Sequence, residues 1–450
     1  MVVILGGGIS GLSAAYYAMN KLTGASIHLV EASNRLGGWI QTTRTRDGLL
    51  LEHGPRTIRP VRPIPRDHPA AKNRMIYANG SLHTLPSTLR ALFTTNSPLT
   101  RPLASVVISD MKASKKKCSD ESSYDFIARR LGHDVADYLI SPLLCGICAG
   151  DAHNISVKML FRSLFEVEQK YGSIFIGMLR KALSGKNITN SIALSNLAER
   201  AKSENWSVYS LSNGLQTLPE ALENALRTST TNIYMNDGCA KLNIGKECVE
   251  IQLNSGKKLI TQRVISSVSA QNLASLVQEQ HPELANYLSQ IPIATVAVVN
   301  LRYKGNILKN PAFGFLVPPK EKIPLLGVVY DSVCFPNSQN DTVLTVMMGG
   351  HWYHPQFTKA TEKQLAQIAK DCVGKILNIQ AAPTLEKVSV QRDCIPQYTV
   401  GHYERLGKIW HYINENKLPL HLIGCSYNGI GLNDVIMSAK EAVDSISLTS

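Results

Sequence analysis

The sequence predicts an α/β protein built around a Rossmann-type dinucleotide-binding domain, with a helical segment and a second, mixed sheet inserted between its parts. Three observations carry that expectation. The chain opens on an apolar strand, Val2 to Leu5, that runs straight into a Gly6-x-Gly8-x-x-Gly11 turn and an alanine-rich helix. Near the other end an apolar run reaches Gly424 and passes through a second glycine-spaced turn, Gly424 to Asp434, into another helix. Between them, helical periodicity over residues 85–204 gives way to strands over 291–393 that are apolar without alternation.

The 450 residues exceed one compact core, so two or three domains are expected. The boundaries suggested are 1–75, 206–290 and 394–450 for the nucleotide domain, 76–205 for the helical part and 291–393 for the second sheet. A hydrophobic content of 44% argues against disorder. The net charge of +13 attracts anionic partners in general. No zinc-finger spacing or aromatic RNA-binding signature accompanies it, which argues against nucleic acid.

Nine cysteines, an odd number without a secretory signal, point to free thiols in a reducing compartment. The sequons at Asn154, Asn187, Asn205 and Asn340 are then chance matches. With the first strand starting at Val2 there is no room for a cleaved presequence, so any organelle targeting is expected to be internal. Within the helical part the uncharged run Tyr138 to Gly150 is shorter than the ~18 to 20 residues that cross a bilayer. The expected protein is soluble or peripheral.

Each residue of the opening unit has a separate job. Gly6 permits the tight turn, Gly8 lets backbone approach a pyrophosphate on the positive end of the following helix, and Gly11 lets that helix pack on the strand. Gly7, Ile9 and Ser10 complete the loop and first helical turn. The second strand, Ile27 to Val30, ends on Glu31 and Ala32, placing a carboxylate where ribose hydroxyls need an acceptor. Arg35-Leu36-Gly37-Gly38-Trp39 follows, supplying a cation and backbone N–H groups for the pyrophosphate. Glycine clusters also make ordinary turns, but here strand, glycines, helix, strand and acid are all in register. The unit resembles the flavin-binding amine oxidase and desaturase superfamily, which implies FAD in preference to NAD.

Next, Ile40–Arg46 and Leu49–Glu52 read as a hairpin closed by Asp47-Gly48. Gly54-Pro55-Arg56-Thr57-Ile58-Arg59-Pro60 comes after it. GGGISGL, RLGGWI and GPRTIRP together resemble the protoporphyrinogen oxidase family in its animal form, and the resemblance continues to the C-terminus. It implies a Rossmann-type FAD-binding domain with a mixed-sheet substrate domain and a helical membrane-associating domain. Gly54, Pro55 and Arg56 would lie near the flavin, the alternative for Arg56 being a structural arginine tied to a loop carboxylate. One stretch departs from the family: where relatives carry roughly twenty helical residues, this chain has only Pro60 to Asp67, with prolines at 60, 63 and 65 that bar a helix.

His68 to Arg74 rejoins the family pattern, and the resemblance makes Arg74 the anchor for a propionate, which a guanidinium holds bidentately. A surface arginine is the alternative. From Leu85 to Glu204 apolar residues recur at helical spacing, with Lys115-Lys116-Lys117, Arg129-Arg130, Lys158 and Arg180-Lys181 interleaved. Such helices either pack on one another or lie in a membrane interface with cations on headgroups. The resemblance favours the membrane. Cys145-x-x-Cys148 lacks a second ligand pair for zinc and reads as two small buried residues, so no metal is expected. Within Gly146-Ile147-Cys148-Ala149-Gly150, Gly150 matches a family position beside the substrate.

Asn213 to Pro219 returns the chain to the nucleotide domain, followed by strands at Thr231–Met235, Ala240–Ile244 and Cys248–Leu253. The resemblance sets the backbone of Cys239 against adenine. Val264 to Ala270 stands where relatives have V-I-x-A-x-P-A, so Ser269 replaces the expected proline. Thr295–Tyr303, Phe313–Val317, Leu326–Tyr330 and Val343–Met348 form the second sheet, and Phe313, Leu316 and Met347 would bracket a macrocycle, plain core packing being the alternative. At the last turn Gly424, Ile430, Gly431 and Leu432 would meet the flavin, with the helix N-terminus facing its anionic edge.

The reaction implied is FAD- and oxygen-dependent oxidation of protoporphyrinogen IX to protoporphyrin IX in haem biosynthesis, with hydrogen peroxide released and no catalytic residue beyond FAD. The resemblance also implies a peripheral place on the mitochondrial inner membrane, intermembrane-space side, a homodimer, and contact with ferrochelatase. Two alternatives stay open. One is an amine or polyamine oxidase on the same fold, which needs an acidic or aromatic pocket. The other is a poorly active membrane-associated flavoprotein, which the shortened stretch after Pro60 suggests.

Overall fold

The computed structural model describes residues 1–58, 73–86, 93–183, 196–204, 209–245, 247–335 and 339–446. The shortened stretch Pro60 to Asp67, with Arg59 and His68 beside it, lies outside the described residues. The chain forms two compact units, one of Met1–Ile58, Ser210–Ile293 and Gly401–Ser450, the other of Arg59–Tyr209 and Ala294–Val400. The first unit thus takes up three segments near, though shorter than, the 1–75, 206–290 and 394–450 read from sequence. The helical and second-sheet segments share one unit.

In the first unit five short strands form a parallel sheet in the order Leu420–Leu422, Arg263–Ser266, Val2–Leu5, Ile27–Val30, Asn232–Tyr234. These strands are apolar without alternation because both faces are covered. On one face Val2, Ile4, Leu29 and Ile265 join Leu12, Ala14, Ala15 and Ala18 of helix Ile9–Lys21 and Ala439 and Val443 of helix Leu432–Ser445. Small alanines let those two helices approach. On the other face Val3, Leu5, Val264 and Leu420 meet Leu273, Leu284, Leu406 and Ile409. Ser269, at the expected proline position, caps helix Ala270–Val277 by accepting the Asn272 N–H. It supplies by a side-chain acceptor the helix start that a proline favours by its fixed φ.

The expected hairpin is present as Thr42–Arg44 paired with Leu50–Glu52. Its turn is wider than Asp47-Gly48: Thr45 N–H donates to the Leu49 carbonyl at 2.9 Å, and Gly48 sits at φ +83. Thr42 Oγ1 donates to Glu52 at 2.8 Å, and Glu52 in turn accepts the Leu215 N–H at 2.8 Å, which ties the hairpin to the 213–216 turn.

The second unit holds a seven-stranded sheet ordered Leu385–Pro396, Ile293–Tyr303, Thr342–Gly350, Gly327–Val329, Gly314–Leu316, Arg74–Ala78, Ser81–Thr84. One face is core: Met75, Tyr77, Ala297, Val299, Phe315, Val328, Val346 and Met348 pack on Leu365, Ala369 and Val373 of helix Glu362–Leu377. The edge strand Leu385–Pro396 has no counterpart in the sequence reading, because its charged residues hide the apolar signal, as edge strands commonly do.

The helical segment contains Ser105–Lys112, Ser123–Leu131, Ser141–Cys148, Arg162–Tyr171, Ile174–Leu183 and Asn196–Ser203. No helix among the described residues is long and apolar enough to cross a membrane. One expectation is corrected here. Arg129 and Arg130 are not outward cations: Arg130 is fully buried against Glu168 at 2.6 Å, and Arg129 pairs with Glu121 at 2.5 Å and Glu168 at 3.2 Å. Arg180 and Lys181 are exposed as expected. Cys145 and Cys148 are buried, each thiol donating to a backbone carbonyl, of Gly150 and Leu144 respectively.

Candidate functional site

The glycine turn of the first unit is shaped for an anion. Gly8 caps helix Ile9–Lys21 with no side-chain acceptor, so the first-turn N–H groups of Ile9, Ser10 and Gly11 have no intrahelical partner. Gly6 takes φ +94, a Cβ on Gly11 would lie 1.8 Å from the Gly6 carbonyl, and one on Gly7 would collide with Leu36 at 2.3 Å. A Cβ on Gly8 would meet nothing nearer than the Gly38 Cα, at 3.8 Å. The turn is therefore closed toward the protein and open on its ligand side, and a dinucleotide pyrophosphate fits that cradle.

Glu31 and the Arg35 loop frame this turn. Glu31 Oε2 accepts the Gly7 N–H at 2.6 Å and Oε1 the Ser33 N–H at 2.7 Å, which leaves a second lone pair on each oxygen for ribose. Gly37 N–H donates to the Gly7 carbonyl at 2.9 Å. Arg35, half-buried, donates to the carbonyls of Leu36 at 3.1 Å, Ile40 at 3.2 Å and Gly38. Burial pulls its pKa down, with Glu31 opposing. Arg35 thus braces the glycine loop, a task absent from the sequence reading. Gly54 is pressed on the Trp39 carbonyl, which a Cβ would approach to 2.5 Å. Trp39 is 40% exposed, Pro55 is exposed, and Arg56 is buried.

Two further elements reach the same region. Gly238 lies against Ala32, where a Cβ would come within 2.8 Å, and this brings Cys239 alongside the tip of the second strand. Burial pushes the Cys239 thiol up to about 11. Gly424, at φ +97, faces Ser10, and its N–H donates to Ser438 Oγ at 3.3 Å. The final helix starts at Leu432 with Gly431 as its cap and Ile430 half-buried just before. Asp434 Oδ2 already accepts the Gly431 N–H at 3.2 Å, so a carboxylate partly answers the positive end that the sequence reading aimed at the flavin.

In the second unit, strand register brings separate predicted residues together. Ile76, Leu316, Gly327, Met347 and Val298 form one cross-strand row, and Arg74, Gly314, Val329, Thr345 and Asn300 form the next. Side chains two apart on a strand share a face. Arg74, Leu316 and Met347 therefore lie on the same face, the one opposite the core. Arg74 is exposed, and among the described residues no carboxylate pairs with it. Gly314 and Gly327 are pressed on the neighbouring strand, where a Cβ would lie 2.0 Å from the Val328 carbonyl oxygen and 2.8 Å from that of Phe315 respectively. Phe313 precedes the strand and is half-buried, and its N–H donates to the Asn73 carbonyl at 3.0 Å. Gly314, at φ +145, breaks the alternation right after it.

Gly150, expected beside the substrate, has its side-chain direction occupied by protein. It is buried, and the space its missing side chain leaves is filled by Gln397 and Ile155, since a Cβ would lie 2.5 Å from Gln397 Oε1 and 2.9 Å from Ile155. Gly146, in the same run, is the exposed glycine, and a Cβ there would meet Leu316 Cδ2 at 2.8 Å. Gly146 belongs to the run Gly146 to Gly150 that the resemblance sets near the substrate, whereas Gly327 and Val329 were read only as part of the strand Leu326–Tyr330. A glycine inside an apolar strand pattern, as at Gly327, is the signal that was available.

Comparison with known proteins shows the family. The profile of the family described as flavin containing amine oxidoreductase matches residues 9–447. The protoporphyrinogen oxidase of Bos taurus is 36% identical over 98% of this chain and 97% of its own, and that of Homo sapiens 35% identical over 99% and 98%. Among solved structures, an Exiguobacterium protein provisionally described as a protoporphyrinogen oxidase superposes with a TM-score of 0.78 at 23% identity, covering 100% of this chain and 99% of that one. Reduced UDP-galactopyranose mutase superposes at 0.69 with 15% identity, covering 98% and 93%, so the likeness there is one of fold. The chain belongs to the flavin-containing amine oxidoreductase family, and the protein is a flavin-dependent oxidoreductase of the protoporphyrinogen oxidase branch.

Proposed function

We propose that the protein oxidises protoporphyrinogen IX to protoporphyrin IX with FAD as cofactor and dioxygen as final acceptor, releasing hydrogen peroxide. The observation that carries this reading is the shared sheet face: a cation, Arg74, stands one cross-strand row from an apolar row containing Leu316 and Met347. A flat macrocycle with propionates at its edge needs that combination, an apolar wall and a charged rim. An amine substrate would call for a carboxylate or aromatic cage in place of Arg74, and no observation favours it.

Bound FAD supplies the hydride-accepting ring. The chain's own residues do the rest by binding and positioning. Arg74 holds a propionate through two parallel N–H···O bonds and so fixes the ring's rotation. Leu316 and Met347, the partly exposed side chains of that row, exclude water from the macrocycle's face, while Ile76 and Val298 are buried in the protein's own packing. Gly327, between Leu316 and Met347, lets the Leu316 side chain lie close over the strand, where a Cβ would come within 2.9 Å of it. That row carries no titratable side chain, so the residues act through orientation and desolvation with no general base drawn from it.

We further propose that helices Ser105–Lys112 and Ile174–Leu183, within the helical part 76–205, seat the protein peripherally on the intermembrane-space side of the mitochondrial inner membrane. Ile108, Met111, Met178, Leu179 and Leu183 are exposed there beside Lys112, Arg180 and Lys181. Apolar side chains with cations at their rim suit an anionic bilayer surface. A homodimer and contact with ferrochelatase, both implied by the resemblance, belong to the same proposal and are tested by sedimentation and by co-purification of the two enzymes.

Purified protein incubated with protoporphyrinogen IX under air is expected to raise porphyrin fluorescence above a no-enzyme blank. Flavin-loaded protein with no rise over the blank sinks the oxidase reading for this chain. Peroxide release on adding a polyamine would replace it with an amine oxidase.

A further inference from the structure

Ser267 follows the strand Arg263–Ser266 in the middle of the parallel sheet, and its hydroxyl reaches across to the glycine turn. Ser267 Oγ lies 2.9 Å from the Leu5 carbonyl and 3.0 Å from the Gly6 carbonyl. The Leu5 oxygen already receives the Ser267 N–H at 2.8 Å, as the register of the sheet requires. A hydroxyl has one proton to donate. Among the described residues no other donor reaches the Gly6 carbonyl, so it is the oxygen that gains most from the hydroxyl.

The position of that oxygen sets the turn. Gly6 adopts φ +94, and its carbonyl is packed where a Cβ on Gly11 would be 1.8 Å away and a Cβ on Gly6 would be 2.5 Å from Ser267 Oγ. A peptide plane is rigid, so fixing the Gly6 carbonyl fixes the Gly7 N–H on its other side. That N–H donates to Glu31 Oε2 at 2.6 Å. Holding one carbonyl therefore orients both the pyrophosphate cradle and the ribose-binding carboxylate.

We infer that Ser267 is a positioning residue for the dinucleotide, its hydroxyl latching the Gly6 carbonyl so that the Gly6–Gly8 turn is preformed. The inference rests on the FAD reading of the cradle. No bond is made or broken; a preformed turn spares the cofactor the cost of ordering it. A serine also stands where the related pattern V-I-x-A-x-P-A has alanine, so the latch adds to a cradle already shaped by its glycines and its effect is of modest size.

The test is the rate at which full-length holoprotein releases FAD, followed as the recovery of free-flavin fluorescence after dilution, with thermal unfolding recorded in parallel. Ser267→Ala is expected to release FAD about three- to tenfold faster, with Ser267→Thr, which keeps the hydroxyl, closer to the parent. Ser269→Ala, which removes the nearby helix cap, is expected to lower the unfolding temperature without that change in release. Unchanged release in Ser267→Ala overturns the latch, as does equal loss of FAD from Ser267→Ala and Ser269→Ala. Parent protein that holds no FAD at all overturns the cofactor reading instead.

Discussion

Arg130 and Glu168 meet at 2.6 Å with neither side chain exposed. The same guanidinium donates to the carbonyls of Asp110 at 2.9 Å, Ala113 at 3.0 Å and Gly172 at 2.6 Å, so one side chain draws together helices Ser105–Lys112, Ser123–Leu131 and Arg162–Tyr171. Removing Arg130 takes the shared cation from two buried carboxylates, Asp110 at 3.4 Å and Glu168, the latter keeping of its cations only Arg129 at 3.2 Å. Arg130→Met is expected to destabilise the second unit by about 3 to 5 kcal/mol, and Arg130→Met with Glu168→Met to recover part of it. Urea unfolding measures both. The exposed Arg162–Glu166 pair is the control, and Arg162→Ala should move stability by less than about 1 kcal/mol.

Three histidines of the first unit resist protonation. Burial lowers the pKa of His28, with Lys257 adding to it; burial lowers that of His281; burial and then Arg263 lower that of His421. The unfolded chain takes up these protons near pH ~6.5 and the folded chain only below it. The unfolded state therefore binds more protons in that window, and stability present above about pH 6.5 is lost as pH falls. Thermal unfolding between pH 7.5 and 5, roughly the window set by that reference value, should show a declining midpoint, with a shallower slope in His421→Gln. A flat profile in the parent would mean the burial is relieved in solution.

Arg74→Ala is expected to raise KM for protoporphyrinogen IX by about tenfold or more, because a charge-assisted bidentate contact is lost, with kcat changing less. Arg74→Lys should recover only part, since an ammonium lacks the planar fork. Steady-state kinetics separates the two constants. A collapse of kcat at unchanged KM would remove Arg74 from the role of anchor.

Two glycines in one short run should behave differently. Gly146→Val meets Leu316 on the sheet face proposed to hold the macrocycle, so KM is expected to rise several-fold while stability changes little. Gly150→Val meets Gln397 and Ile155 in a buried place, and overpacking there is expected to cost about 1 to 3 kcal/mol or more. Kinetics and unfolding run on both variants decide whether the assignment to Gly146 is right.

On vesicles containing anionic lipid, Leu179→Glu with Leu183→Glu is expected to weaken binding by about tenfold or more, the loss of two exposed leucines from an apolar contact. Binding should also weaken as salt rises, through Lys112, Arg180 and Lys181. Ile260→Glu changes an equally exposed residue of the other unit and should leave binding unaltered. Equal effects from both changes would relocate the membrane contact.

Much of the first unit was legible in residue order because a βαβ turn is local. Strand, glycines, helix and acid fall within a few tens of residues, and each glycine answers a steric demand set by its neighbours. The second sheet was legible as strands but not as a surface. Nothing in the spacing of Arg74, Leu316 and Met347 says that they share a face; the pairings Arg74 with Gly314 and Gly327 with Met347 do. The charges at 129 and 130 were misread for a related reason. A cation on a helix is outward by default, and only the partner helix carrying Glu168 makes the interior tolerable.

By itself, the sequence determined that this chain carries a dinucleotide cradle at its beginning, a matching glycine turn at its end, and the motifs of one oxidoreductase branch. Tertiary structure decided what each polar group faces: Arg35 inward to three carbonyls, Ser267 to Gly6, Arg130 to Glu168. The physical reason is range. Backbone preference and turn chemistry act over a few residues, whereas burial and pairing of charge depend on which distant segments the fold brings within about 3 to 4 Å.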